Sequence, residues 1–97
     1  MSNPGRIADP ISCGDFIAQG SSNVIVEDMP ISLMGHMTTG HSGFPPTVLV
    51  GPCSSTVIVN DLPVVLVGMT MIKPHKKPRT PAHSGVVVAG ATSVEIE

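Results

Sequence analysis

Along this 97-residue chain the apolar positions fall in short β-branched runs, each closed by a turn and then begun again. Ser21 to Pro30 reads S-S-N-V-I-V-E-D-M-P, and Ser54 to Pro63 reads S-S-T-V-I-V-N-D-L-P, 33 residues later and identical at seven of ten positions. The Val24-Ile25-Val26 core returns as Val57-Ile58-Val59 and, more faintly, as Val94-Glu95-Ile96. The lead-in returns as well: Phe16 to Gly20, Val48 to Pro52, Val86 to Gly90. In the first two copies a D-x-P turn follows, with a second apolar run behind it, Ile31 to Gly35 and Val64 to Gly68. Such repeats are read as one supersecondary unit used several times. Each unit is strand, turn, strand, turn, strand, with boundaries near 6–35, 36–68 and 69–97.

Val24 and Val26 alternate with Ile25, but both parities are apolar, as in strands covered on both faces or packed against a partner. No stretch of eleven or more residues carries the i, i+3, i+4 spacing of a helix free of Gly and Pro. The pattern predicts an all-β fold, essentially without helix, of three β-hairpin repeats about a pseudo-threefold axis. One hairpin cannot bury its own apolar face; three around an axis can lend faces to one another.

Composition sharpens the problem such a fold must solve. Trp and Tyr are absent and only two Phe are present, so the usual large core-filling side chains are missing. A chain this short commonly needs a metal, a disulfide or a partner subunit to supplement its core. Gly and Pro together number 20, as tight turns require, while an apolar fraction of 41% argues against disorder. A net charge of −2 gives no general affinity for nucleic acid or an anionic surface. The one basic run, Lys73 to Arg79, has no stacking aromatics and reads as a solvated loop. The first residues, M-S-N-P-G-R, contain no apolar signal segment, so synthesis in a cytoplasm is expected, with Cys13 and Cys53 reduced. A Cys13–Cys53 disulfide is the rival arrangement.

Chemistry is confined to those two cysteines and to His36, His41, His75 and His83. Before each lead-in strand stands one metal-capable side chain: Cys13, His41 and His83. Cys13 lies seven residues before Gly20 and His83 seven before Gly90; His41 lies twelve before Cys53, the gap following from an insertion around Phe44-Pro45-Pro46. A threefold arrangement would gather the three at one end, and a fourth ligand would complete the tetrahedral Cys/His set that structural zinc prefers. His75 is the first candidate for that fourth place. His36, at the position that Asp9 holds in the first unit, is the reserve. Cys53 replaces a turn glycine and reads as a small buried thiol. No paired carboxylates, H-E-x-x-H, G-x-S-x-G or phosphate-binding loop is present, so an enzyme is not expected.

The run Arg6-Ile7-Ala8-Asp9-Pro10, then Cys13-Gly14, then G-S-S-N-V-I-V-x-D-x-P, resembles the PAAR-repeat family over the whole chain. The eponymous P-A-A-R does not match; the chain has Pro30-Ile31-Ser32-Leu33 and Pro63-Val64-Val65-Leu66 in its place. The resemblance implies a small sharp cone of β-hairpins capping the end of a trimeric β-helical spike, one copy per trimer, in a type VI secretion system or a contractile phage tail. It implies one structural zinc ion near the apex held by three His and one Cys, here Cys13, His41, His75 and His83. The first unit begins six residues in and the third reaches the last residue, so a bare tip without an effector extension is expected. The same resemblance implies transient contact with a target membrane, while the charge balance and the aromatic-free basic run lead us to expect no nucleic-acid partner. Two other classes remain distinguishable: a small metal-dependent hydrolase or toxin, which needs an open metal position, and a metal-free adaptor module.

Overall fold

The computed structural model describes residues 3–92 and 94–96, so Glu97, the last residue of the third expected unit, lies outside it. None of the described residues is helical. The body measures 40 × 24 × 21 Å. Its regular pieces are two or three residues long: β1 (Ile25–Val26), β2 (Met29–Pro30), β3 (Leu49–Gly51), β4 (Ile58–Val59), β5 (Leu62–Pro63) and β6 (Met71–Ile72). They pair antiparallel as β1–β2, β3–β6 and β4–β5. The protein is all-β, built from small antiparallel hairpins.

The repeated ten residues are the β1–β2 and β4–β5 hairpins, with identical register: Ile25 opposite Pro30 and Ile58 opposite Pro63. Both turns place two successive residues at positive φ, Glu27 and Asp28 in one, Asn60 and Asp61 in the other. That backbone is the two-residue turn whose twist suits a hairpin. Before each hairpin a buried hydroxyl turns the chain. Ser21 Oγ accepts from the Asn23 and Val24 amides, and Ser54 Oγ accepts from Thr56 and Val57.

The threefold relation is written in the backbone hydrogen bonds. Gly5 donates to the Val65 carbonyl, Ser32 to Gly5 and Val65 to Ser32, at 2.9, 2.9 and 3.1 Å, which closes a ring. Two residues further on, Ile7 donates to Pro30, Met34 to Pro63 and Val67 to Asn3. Ala8, Gly35 and Gly68 then donate to Ile17, Leu49 and Val87. Those three acceptors are wholly buried and stack at the centre with Ile11, Val65 and Ile72. A second cluster, Ile31, Leu33 and Val64, is covered by Val24, Val26, Val57, Val59 and Ile96 at the hairpin end. The third face is therefore assembled from both ends of the described chain. Asn3 to Arg6 fill the place held by Pro30 to Leu33 and Pro63 to Leu66, and Asn3 Nδ2 donates to the Val94 carbonyl.

This closure puts an arginine at one of three equivalent positions. Arg6 occupies the position of buried Leu33 and Leu66, and it grips Asp9 through Nε at 3.1 Å and Nη2 at 3.2 Å. Asp9 in turn accepts from the Arg6 amide; His36 Nδ1 accepts from Leu33, and Thr70 Oγ1 from Leu66, in the same way. His36 is thus a turn cap, and not the reserve ligand that its correspondence with Asp9 suggested.

One unit departs from the repeat. Four residues separate Ile17 from Ser21 and Val87 from Ala91, but five separate Leu49 from Ser54; the extra one forms a bulge between Leu49 and Gly51. Cys53 consequently stands where the other units have Gly20 and Gly90. At both glycines an added Cβ would strike backbone: at Gly20 it would meet Pro30 Cβ at 2.6 Å and O at 2.8 Å, and at Gly90 the Pro4 carbonyl oxygen. Cys13 and Cys53 are both free, so the rival disulfide is not formed. Burial pushes the Cys53 thiol up, and Thr70 Oγ1 lies 3.6 Å from its sulfur, which marks a structural, inert thiol.

Two glycine substitutions separate crowding from backbone strain. Gly35 has φ +90° with open space around it, so Gly35→Ala should cost only the left-handed penalty, about 1 kcal/mol. Gly20→Ala must push the chain off Pro30 and should cost more, on the order of 3 kcal/mol. Urea unfolding of the two variants checks the order; equal losses would contradict the close packing at Gly20.

Candidate metal centre

At the end opposite the hairpins, three loops of unequal length join equivalent strands. The backbone pairs Ile11 with Asp15, Thr38 with Thr47 and Ile72 with Gly85 through the same amide-to-carbonyl bond, which fixes where each loop starts and ends. The first loop is 12–14, the second 39–46 and the third 73–84. Cys13 lies in the first, His41 in the second, His75 and His83 in the third. His75 and His83 face each other across an antiparallel bridge, with reciprocal amide-to-carbonyl bonds of 3.0 and 3.1 Å.

These four side chains come together. Their ligand atoms all lie within 4.8 Å of one another, a Cys/His cluster able to hold a metal ion. The backbone register refines the expected equivalence. Cys13 and His83 each stand two residues before the closing residue, Asp15 or Gly85, and so match. His41 stands three after Thr38, as His75 stands three after Ile72; it is therefore the counterpart of His75 rather than of His83. His36 stays at its cap, bound to the Leu33 amide, and is not in the cluster.

The donor set fits a cation on physical grounds. His75 Nε2 and His83 Nε2 are 2.8 Å apart. At that distance one ring donates its N–H to the lone pair of the other, so both nitrogens are aimed at the point where a cation would replace the proton. Around a tetrahedral ion with bonds of about 2.1 Å, neighbouring nitrogens sit about 3.4 Å apart, inside the range the cluster spans. Burial and the neighbouring His75 and His41 rings hold His83 below the usual imidazole range, which favours the neutral form that ligates.

Surrounding groups orient the rings. His75 Nδ1 is 2.8 Å from the Pro45 carbonyl, which leaves Nε2 free to point at the cluster. His41 Nδ1 lies 3.2 Å from Asp15 Oδ1, although the ring is not turned into line for a straight hydrogen bond. Phe44 covers the imidazoles, with ring centroids 5.2 Å from His41, 5.0 Å from His75 and 4.0 Å from His83. Lys77 then lies over Phe44, its Nζ 4.9 Å from the ring centre and donating to the Ser42 carbonyl at 2.7 Å. Phe44, Pro45 and Asp15 were not singled out from the sequence as site residues. The signal was present: the Phe44-Pro45-Pro46 insertion breaks the repeat at the loop where a ligand stands, with one of the chain's two Phe.

No known protein family description matches the chain, and no curated protein matches it.

His36 gives a pH dependence that can be assigned. Burial lowers its pKa, so between its folded value and the ordinary 6.5 the unfolded chain binds more protons. Stability then falls as pH drops from about 6.5 toward the lowered value. In His36→Asp the carboxylate should cap the Leu33 amide as Asp9 caps Arg6, and the acid loss between pH 6.5 and 5 should shrink. Urea titrations in chelator, at matched pH values, check this; parallel losses in parent and variant would refute it.

Proposed function

We propose that this chain is the metal-stabilised conical tip of a contractile injection machine, seated on the end of a trimeric β-helical spike. It acts by mechanics, without catalysis. The observation that carries the reading is that four ligands from three pseudo-equivalent loops meet at one end of a body with cyclic backbone bonding. The resemblance of the repeat to the PAAR family supports the same conclusion.

A piercing point fails by splaying. A cation bound by Cys13, His41, His75 and His83 ties all three loops together, and its binding free energy becomes folding free energy. Three imidazoles and one thiolate around a tetrahedral centre suit zinc, which takes Cys and His together. With four protein ligands the ion has no vacant position for water, and this separates the reading from hydrolytic zinc.

The other end suits docking. Ile25 and Ile58 project from the two hairpins with 63% and 55% of their surface exposed, and Leu62 is also exposed. Apolar hairpins of this kind can stack on the terminal strands of a β-helix. A single chain with internal threefold symmetry presents three similar faces to three identical subunits, which sets the stoichiometry at one copy per trimer. In the machine, the tip reaches the outside of the cell and touches the target membrane transiently.

Purified protein should carry one zinc per chain by elemental analysis, and chelator should lower its thermal transition by 10 °C or more. The size follows because a structural zinc is worth several kcal/mol and 1 kcal/mol moves a domain of this length by about 4–8 °C. Cys13→Ala and His83→Ala should each abolish stoichiometric zinc; a double variant that keeps its zinc and its transition would defeat the site. Sedimentation with a purified spike trimer should give one chain per trimer, and a ratio of three would defeat the symmetry argument.

A further inference from the structure

Asp15 is wholly buried, with 0% of its surface exposed. The other buried acid, Asp9, is clamped by Arg6. Asp15 has no such cation. Oδ1 lies 3.2 Å from His41 Nδ1 and 3.5 Å from the Thr39 hydroxyl, and Oδ2 has no hydrogen-bond partner among the described residues. A buried carboxylate left this way is costly, and natural structures hold such groups where something compensates them.

The repeat supplies an internal control for what Asp15 does. Its counterparts are Thr47 and Gly85, and at all three positions the main-chain carbonyl accepts the amide that closes the loop. A hydroxyl and no side chain at all serve that turn as well as a carboxylate does. The fold of the loop therefore does not call for an acid at position 15. Besides the more distant Thr39 hydroxyl, the group that meets this acid is His41.

We propose that Asp15 is the outer-sphere positioning residue of the metal centre, a reading that rests on the metal-binding role assigned above. A carboxylate facing Nδ1 places the ring proton there and leaves the other nitrogen, Nε2, as the ligand. A small rotation of the ring, as ligation would impose, brings Nδ1–H into line with Oδ1. His75 is fixed by the Pro45 carbonyl in the same manner, so a charged and a neutral acceptor orient two of the three rings. The charge differs in its consequence. With the Cys13 thiolate, the Asp15 carboxylate cancels a divalent cation, so the loaded centre is neutral beneath the Phe44 ring. A monovalent ion would leave a net negative charge there. The centre is thereby biased toward divalent metal, beyond what its ligand atoms alone would give.

The test uses Asp15→Thr, the residue the second unit carries, and Asp15→Asn, which keeps the shape. Both should fold, with chelated-state thermal transitions at or above that of the parent. Zinc(II) affinity by chelator competition should fall about 10–100-fold, the usual effect of removing such a partner. Copper(I) affinity should fall less, so that the zinc-to-copper ratio drops. Zinc affinities within twofold of the parent would overturn the role of Asp15 alone. Equal losses for the two ions would overturn the charge argument. A parent protein that takes up no zinc would overturn the metal centre itself, and this inference with it.

Discussion

Everything in this molecule depends on the ring that Gly5, Ser32 and Val65 close through their main chains. Among the described residues no strand exceeds three residues, so no sheet there is long enough to stabilise itself. Side chains alone would not fix the register of such short pieces, because the core is made of interchangeable Ile, Leu and Val. Directional backbone bonds do fix it. Once each segment donates to one neighbour and accepts from the other, Ile17, Leu49 and Val87 are delivered to one level and the two core clusters fall on either side. The position admits little bulk: a Cβ on Gly5 would stand 2.8 Å from Val65 Cγ1. One ring member is therefore glycine and another is serine, whose buried hydroxyl finds no partner among the described residues.

The same ring explains the division between the two ends. At the hairpin end two faces are matching hairpins and the third is assembled from the two ends of the described chain, with contacts running from each unit to the next. Asn60 meets Ser21 and Asn23 of the preceding unit, and Glu27 accepts from the Thr92 amide. At the loop end the lengths diverge, and that divergence makes a ligand set possible. Three identical loops would bring three identical ligands to the axis and leave the fourth position open. The short first loop brings only a thiol, while the long third loop brings two imidazoles held opposite one another by the His75–His83 bridge. Asymmetry at the tip is thus a chemical requirement of a four-coordinate centre on a three-sided body.

Much of the fold was legible because it is repeated. The Val-Ile-Val cores and D-x-P turns gave the hairpins and their register, and the chain's lack of long periodic stretches excluded helix. What stayed hidden depended on closure. Nothing about Asn3-Pro4-Gly5-Arg6 looks like Pro30-Ile31-Ser32-Leu33, because a buried Leu and an Asp9-bound Arg solve the same position by unrelated chemistry. The bulge at Gly51 was hidden in a similar way, visible in the chain only as Cys53 in a glycine's place. For the site, counting from the turn glycine found Cys13 and His83 in register. It misaligned His41, since an insertion can be counted from either limb of a loop and only the backbone pairs Thr38–Thr47 and Ile72–Gly85 decide which.

The insertion is where repeat logic and site chemistry part company. It adds a ring, a carbonyl and a backbone acceptor at one point: Phe44 over the imidazoles, Pro45 to His75, Ser42 to Lys77. None of these is a ligand; Phe44 and Pro45 act on the imidazoles directly, and Ser42 holds the Lys77 that lies over Phe44. An apolar cover lowers the local dielectric, which strengthens the pull between a bound cation and its anionic neighbours while raising the cost of leaving Asp15 uncompensated. Loading and unloading the centre would therefore change the energy of the tip more than an exposed cluster of the same residues could. The ligands all lie in the three loops and none in the hairpins, so any stability gained from a bound cation enters at the loop end of the body.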